Sequence, residues 1–388
     1  MSHKALFSRA FEAAPKRLHF AAHSHHLWPD ASYFAHMKAW DLAAAMADTK
    51  WDPIFADVIP EAQDSVAKEL RLPSGDSVVF APNTHELLVR LVSAVRRKPV
   101  RILSTDGEFH SFRRQAEAWE EAGTAQVTRV PVRPFHDFAE RFLKAAREGR
   151  FDLILVSQVF FRTGWVFGRM AELAQLSTPA GPWVVIDGYH GFMAVDTDLS
   201  AIADRVFYIG GGYKYAMAGE GCAFMHAPEG FGERPEITGW YAEFGDLQGP
   251  PGGVGYARDA GRFWGATFDP SALFRFNGVR RMLDDQGLTT AGISAWCEPL
   301  MQRFAAAAEA GRAGPLKEAV LLNPVTRGPR ARFLAFQHPE AAKWQAILEN
   351  ASVITDVRDD VIRFGFGLYH DPEDVDLLAE VCADLLAD

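Results

Sequence analysis

Lys214 lies in the segment Phe207-Tyr-Ile-Gly-Gly-Gly-Tyr-Lys-Tyr-Ala-Met-Ala-Gly-Glu-Gly221, hemmed in by glycine and alanine. Glycine lets the backbone approach another group closely. A lysine held in a confined, partly dry site titrates low and forms Schiff bases with carbonyl compounds. Taken alone, Lys214 reads equally well as a solvated lysine after a strand. Upstream, Pro182-Trp-Val-Val-Ile-Asp-Gly-Tyr-His190 is a second apolar run that ends in Asp187, with His190 three residues on. A carboxylate that keeps a pyridine nitrogen protonated, plus a lysine for an aldehyde, is what pyridoxal phosphate (PLP) needs from a protein. Asp187 would also serve as a helix N-cap. With Lys214 following at this spacing, the pair favours the cofactor.

The elements that must position these residues follow from the pattern around them. The run 205–209 and the run 183–187 read as buried strands, and ligands of open α/β sheets bind beyond the carboxyl ends of such strands. Asp152-Leu-Ile-Leu-Val-Ser-Gln158 begins as another buried strand and ends in Ser157 and Gln158. Residues 152–228 alternate strands with helical or loop connections, which predicts a mostly parallel sheet. Cys222-Ala-Phe-Met-His226 returns as a further strand. Ser77 to Leu91 reads as strand, turn and helix, with Asn83-Thr84 at the helix start. Free amides there suit a phosphate, and plain capping suits these residue types equally. Val100–Ser104 is the next strand, and Phe109 beyond it suits either a flat ring or the core.

Helices are expected over 31–70, with a second beginning near 59, and over 136–148, 271–284 and 290–311. Residues 330–388 predict a smaller α+β unit: a strand at 332–337, a helix at 340–350, strands at 353–358 and 361–365, and a terminal helix. Residues 227–262, which include Gly249-Pro-Pro-Gly-Gly253, read as a long irregular excursion. The boundaries that result are an N-terminal segment 1–35, a large domain 36–270 and a small domain 271–388.

The totals set limits. A chain of 388 residues, 48% hydrophobic and 23% charged, fits an ordinary globular protein of more than one domain. A net charge of −10 argues against a nucleic-acid binder. No run reaches membrane-spanning length. Cys222, Cys297 and Cys382 show no paired spacing, which predicts a reducing compartment and no disulfide framework. The first residues, Met1-Ser-His-Lys-Ala-Leu-Phe, lack the apolar core of a signal peptide, so a cytoplasmic location is expected.

The motifs together resemble kynureninase, within the fold-type I PLP enzymes that include class V aminotransferases and cysteine desulfurases. The likeness runs from about 18 to 375. It is carried by Asp187-Gly-Tyr-His190, similar to the family's Asp-x-x-His, and by Gly212-Tyr-Lys-Tyr215, similar to its Tyr-Lys-Tyr segment. The resemblance implies a large domain with a mostly parallel seven-stranded sheet between helices, a smaller α+β domain, and a homodimer with sites at the subunit interface. It implies that Lys214 forms an aldimine with PLP, Asp187 pairs with the pyridine nitrogen and His190 faces the phenolic oxygen. Phe109 would stack on the ring, Asn83, Thr84 and Tyr213 would hold the phosphate, and Ser157 would lie near the phosphate or Asp187. Trp240 would border the cofactor. Thr267, preferred over Asp269, would reach the neighbouring subunit's phosphate. Arg363, in Ile362-Arg-Phe-Gly-Phe-Gly-Leu-Tyr369, would bind the substrate carboxylate with its two-pronged donors. His23 and Ser24 would lie in the substrate loop.

The implied reaction is hydrolysis of an amino acid's Cβ–Cγ bond. The alternatives are a class V aminotransferase or a β-eliminating lyase. This chain differs from kynureninases in three places. No Gly-His precedes Trp51, the loop is His23-Ser-His-His rather than Asn-Ser-Leu-Gly, and Arg162 stands near the site. A cysteine desulfurase needs a mobile, low-pKa cysteine, whereas Cys222 falls in a strand and Cys297 and Cys382 on helices. A metal-dependent hydrolase built on His23 and His25 is a further alternative. It requires more ligands at later strand ends.

Overall fold

The apolar runs around Asp187 and Lys214 become neighbouring strands. A computed structural model describes residues 3–246, 253–325 and 330–387. The Gly249–Gly252 part of the glycine- and proline-rich stretch lies outside the described residues. Seven strands form one sheet, in the order Val78–Ala81, Ala223–His226, Val206–Gly211, Trp183–Asp187, Leu153–Ser157, Val100–Thr105 and Ala125–Val130. All pairs are parallel except those of Ala223–His226, which runs antiparallel to both its neighbours. Successive side chains of a strand point to opposite faces. Ile154, Val156, Val184 and Ile186 therefore enter one core, and Leu153, Leu155, Val185 and Phe207 the other. A sheet buried on both faces explains why these strands read as unbroken apolar runs.

The register places the chemistry. Ser157 pairs with Asp187, and Asp187 with Ile209, so the first two strands end level and the third runs on to Gly211, just before Lys214. The carboxyl ends of these strands open toward the segment that carries Lys214.

The carboxyl-terminal part is a four-stranded antiparallel sheet, Asp356–Arg358, Val361–Gly365, Phe333–Gln337 and Val320–Leu321. Helices Thr290–Glu309, Ala341–Asn350 and Pro372–Leu385 accompany it, the last held by a capping box between Asp371 and Asp374. The strand expected over 353–358 is split. Val353–Ile354 pairs in parallel with Leu18–His19, whereas Asp356–Arg358 pairs with Val361–Gly365. The chain changes partners at Thr355, a switch that residue type does not signal. The helical stretch expected over 31–70 is also divided. Helix Asp30–Met46 stops where Ala47 takes φ 47, and a π-helical turn over Ile54–Val58 leads into Ile59–Leu70. Helix Ser271–Asp285 packs on Asp30–Met46 through small residues, with Gly278 against Ala31 and Ala35.

Among the described residues, no helix is long and apolar enough to cross a membrane.

Candidate active site

Lys214 is placed by close backbone approach. A Cβ on Gly212 would lie 2.9 Å from Cys222 Cβ and 2.9 Å from the Gly219 carbonyl oxygen, so only glycine lets the loop fold back here. The amine end of Lys214 is thereby carried inward, and the residue is 4% exposed. Its Nζ lies 2.6 Å from His190 Nε2 and 3.1 Å from His190 Nδ1. The rings of Tyr189, Phe109 and Tyr213 surround it at 4.9, 5.5 and 5.5 Å. Among the described residues, no carboxylate reaches ion-pair distance of Nζ. Burial pushes the amine well below its ordinary value, and the charge of Arg363 pushes the same way. Burial and the nearby Lys214 likewise hold His190 well below the usual imidazole range. A neutral amine in such a place is a nucleophile toward carbonyl carbon.

Asp187 lines the same site. It ends the strand Trp183–Asp187 and accepts the Tyr189 N–H at 2.9 Å. Burial raises its carboxyl above the ordinary value. A carboxylate in this position favours any cation or protonated nitrogen brought beside it.

Lys214 and Asp187 line one cavity of about 300 Å³. Asn83, Thr84, Phe109, Ser157, His190 and Tyr213, all expected at the site, line it as well. Asn83 caps helix Thr84–Ser93 by accepting the Glu86 N–H at 3.0 Å, and the same helix end faces the cavity. The cavity is thus lined by an electropositive helix terminus and by an amine, an imidazole and a carboxylate.

The other expected residues stand elsewhere. Trp240 and Thr267 do not line this chain's cavity. The Trp240 indole N–H donates to the Thr267 hydroxyl at 3.2 Å. Asp269 is occupied as a cap, accepting the Ser271 N–H and hydroxyl at 2.9 Å each. Arg363 is 1% exposed and lies one layer behind the wall. Phe161 lines the cavity, and its carbonyl oxygen accepts from Arg363 Nη1, while Asp356 Oδ2 holds Nη2 at 2.7 Å. His23 is fully buried, stacks on Phe333 at 4.5 Å and has no hydrogen-bond partner for either ring nitrogen among the described residues. The Ser24 hydroxyl lies 3.5 Å from His25 Nδ1, and it helps hold the Asp356 carboxyl below its ordinary value. Arg162 pairs with Asp359 and Asp360.

His23 and His25 diverge. His25 stacks on Tyr213 at 5.0 Å, outside, while His23 points into the core. Among the described residues, no group of three or more His, Cys, Asp or Glu side chains could hold a metal ion.

Two groups at the site carry no signal in the pattern. Glu108 is buried and accepts from the hydroxyls of Thr105 at 2.7 Å and Ser157 at 2.5 Å. Burial drives its carboxyl up to about 7 despite those bonds. Tyr189, within Asp187-Gly-Tyr-His190, stands 4.8 Å from the Tyr213 ring.

With this geometry in hand, likenesses to known proteins become informative. Residues 297–382 match the kynureninase C-terminal domain family. A stretch of 204 residues is 32% identical to isopenicillin N epimerase of Streptomyces clavuligerus and spans 49% of this chain and 49% of that protein. The cystine C-S lyase C-DES, in complex with its product cysteine persulfide, superposes with a TM-score of 0.80 at 17% identity. That superposition covers 97% of this chain and 99% of the lyase. A cysteine desulfurase from Thermococcus onnurineus NA1 superposes with a TM-score of 0.78 at 16% identity over 99% of each chain. The chain has the fold-type I architecture of PLP-dependent enzymes.

Proposed function

We propose that this chain is a PLP-dependent enzyme acting on an amino acid, and that its reaction is a kynureninase-like hydrolysis of the Cβ–Cγ bond. One observation carries the cofactor reading. Lys214, Asp187 and His190 converge on a single cavity in which the lysine has no acidic partner among the described residues and the carboxylate is nearly free. A buried unpaired amine and a buried carboxylate are costly without a ligand that uses both.

PLP, when bound, supplies an electron sink for charge developing at the substrate's α carbon. In this site Lys214 Nζ would hold the aldehyde end and Asp187 the pyridine nitrogen, with Phe109 on one face of the ring. The helix end at Asn83 and Thr84, with Tyr213, would hold the phosphate. Ser157 would lie beside Asp187. The amine of Lys214, which burial biases toward its neutral form, takes the α proton. His190, within hydrogen-bond distance of Nζ, orients that amine and relays its proton. Arg363 receives the substrate carboxylate, and His23 and Ser24 border it. In the hydrolysis, water adds to the carbonyl at Cγ and the Cβ–Cγ bond breaks. Cβ gains a proton, and alanine and a carboxylic acid leave.

The kynureninase-like outcome draws its support from the matched segment 297–382, which includes the strand of Arg363. The likeness to isopenicillin N epimerase favours a second reading, in which the same α-proton chemistry proceeds without Cβ–Cγ cleavage, as in a class V aminotransferase or β-eliminating lyase. Persulfide chemistry on this chain's own thiols is disfavoured. Burial pushes Cys222 up to about 12, Cys297 to about 11 and Cys382 to about 12. Three free, buried cysteines accord with a cytoplasmic location. A homodimer is supported by Tyr33, Phe34, Met37 and Trp40, which expose an apolar stripe along helix Asp30–Met46.

The test is a panel of amino acids, including kynurenine and 3-hydroxykynurenine, incubated with the PLP-loaded protein, with products identified by mass. Alanine with anthranilate or its hydroxy derivative supports the first reading. A keto acid, or pyruvate with ammonia, supports the second. No change in any amino acid refutes both.

A further inference from the structure

Arg363 is not a free guanidinium waiting for a carboxylate. Asp356 and Arg363 are direct partners across the antiparallel pair, and Arg358 opposite Val361 lies two residues along on the same face. Asp356 Oδ2 sits 2.7 Å from Arg363 Nη2, and Oδ1 sits 2.6 Å from Arg358 Nη1. Ser24, from the amino-terminal loop, also favours the charged form of this carboxylate. Arg363 Nη1 donates to the Phe161 carbonyl oxygen. That leaves Arg363 Nε, fully buried and without a partner among the described residues. One carboxylate is thus shared by two guanidinium groups, and among the described residues no second carboxylate pairs with either of them.

We infer that Asp356 is an internal competitor for Arg363 that sets how tightly, and for which carboxylates, the site binds. The inference rests on the reading of Arg363 as the anchor of the substrate carboxylate. In the free protein Asp356 draws Arg363 behind the Phe161 ring, whose centroid is 6.0 Å from the guanidinium carbon. An incoming carboxylate takes the Nε and Nη2 edge of Arg363. Asp356 then swings fully onto Arg358, whose side chain is 35% exposed and free to follow it outward. Arg358 therefore holds Asp356 in reserve and does not itself bind substrate. Two positive charges and two carboxylates balance in the bound state. A small carboxylate with no further binding surface gains too little to displace Asp356, and a substrate that also fills the aromatic wall of Phe109 and Phe161 does so. Asp356 is on this account a positioning and specificity-setting residue.

The account separates cleanly from a purely structural role for Asp356. If Asp356 only aims Arg363, removing its charge weakens carboxylate binding. If Asp356 competes, removing its charge strengthens it. The probe is 3-phenylpropionate, which has a carboxylate and an aromatic ring but no amine, titrated calorimetrically into the PLP-loaded full chain. Asp356→Asn should bind it about 10-fold more tightly than the wild type, the scale of one charge-assisted hydrogen bond. Arg358→Gln, altered at a partly exposed position, should bind it several-fold more weakly, because Asp356 then rests on Arg363 alone. Unchanged or weaker binding by Asp356→Asn overturns the inference, as does the absence of binding by both proteins. If Asp356→Asn does not fold, unchanged or tighter binding by Arg358→Gln overturns it. A chain that takes up no PLP would defeat the cofactor reading instead, and the same titration on that chain would still decide the role of Asp356.

Discussion

Replacing Glu108 by glutamine removes a proton-binding group from the interior while keeping its size and hydrogen-bonding shape. Glu108 is 4% exposed and accepts from the Thr105 hydroxyl, the Ser157 hydroxyl and the Ser157 N–H. Those donors favour the carboxylate, but burial dominates and Asp187 adds a like charge, so the group rises from 4.5 to about 7. The folded protein therefore keeps this proton over a range in which the unfolded chain has lost it. Stability contributed by the protonated carboxyl is complete below about pH 4.5 and is lost as pH rises through about 7. A shift of that size corresponds to about 3 kcal/mol. Glutamine does not titrate. Relative to Glu108→Gln, the wild type should lose about 1.4 kcal/mol per pH unit across that interval and level off above it. Urea unfolding followed by tryptophan fluorescence, from about pH 5 to about pH 8, measures the difference between the two proteins. Parallel curves over the whole range, or a variant that loses ground to the wild type as pH rises, would refute the reasoning.

Other outcomes follow from single contacts. Cys222, Cys297 and Cys382 are buried with raised thiol values, so the folded protein should react with a thiol reagent only after denaturation, and fast labelling of any one of them would contradict this. Replacing each by alanine in turn should preserve turnover, whereas loss of turnover with an intact fold would restore a desulfurase-like mechanism. Gly365→Ala would put a methyl group against the ring and backbone nitrogen of His23, and overpacking of this kind costs ~1–3 kcal/mol. An unchanged thermal midpoint would show that the amino-terminal loop yields easily. Asn83→Ala should cost about 1 kcal/mol through the lost cap on the Glu86 N–H, and should also weaken PLP retention on gel filtration. Weaker stability with unchanged retention would leave Asn83 as a cap alone.

The central residues were legible because they are local. Asp187 and Lys214 each follow an apolar run, and a strand buried on both faces announces itself by composition. Adjacent parallel strands then bring their carboxyl ends level, so eight of the expected residues line one cavity. What escaped depends on contacts distant in sequence. Glu108 looks like a surface acid after a strand, and only its place behind Ser157, 49 residues on, makes it a buried one. Asp356 reads as one more residue of the strand expected over 353–358, and the hairpin register alone sets it opposite Arg363. That same pairing explains why Arg363, identified by its motif, stands behind the cavity wall rather than in it. The split at Thr355 arises because two different sheets compete for one extended segment. Trp240 and Thr267 pair with each other on the surface of this chain, outside that cavity.

The account stands on the amine of Lys214, and the most direct measurement marks that atom. The PLP-loaded protein is reduced with borohydride, digested and mapped by mass. The pyridoxyl group should appear on the peptide that carries Lys214 and on no other, and it should be absent from Lys214→Ala. A mark on a different lysine, or a protein that takes up no PLP at all, would contradict the account.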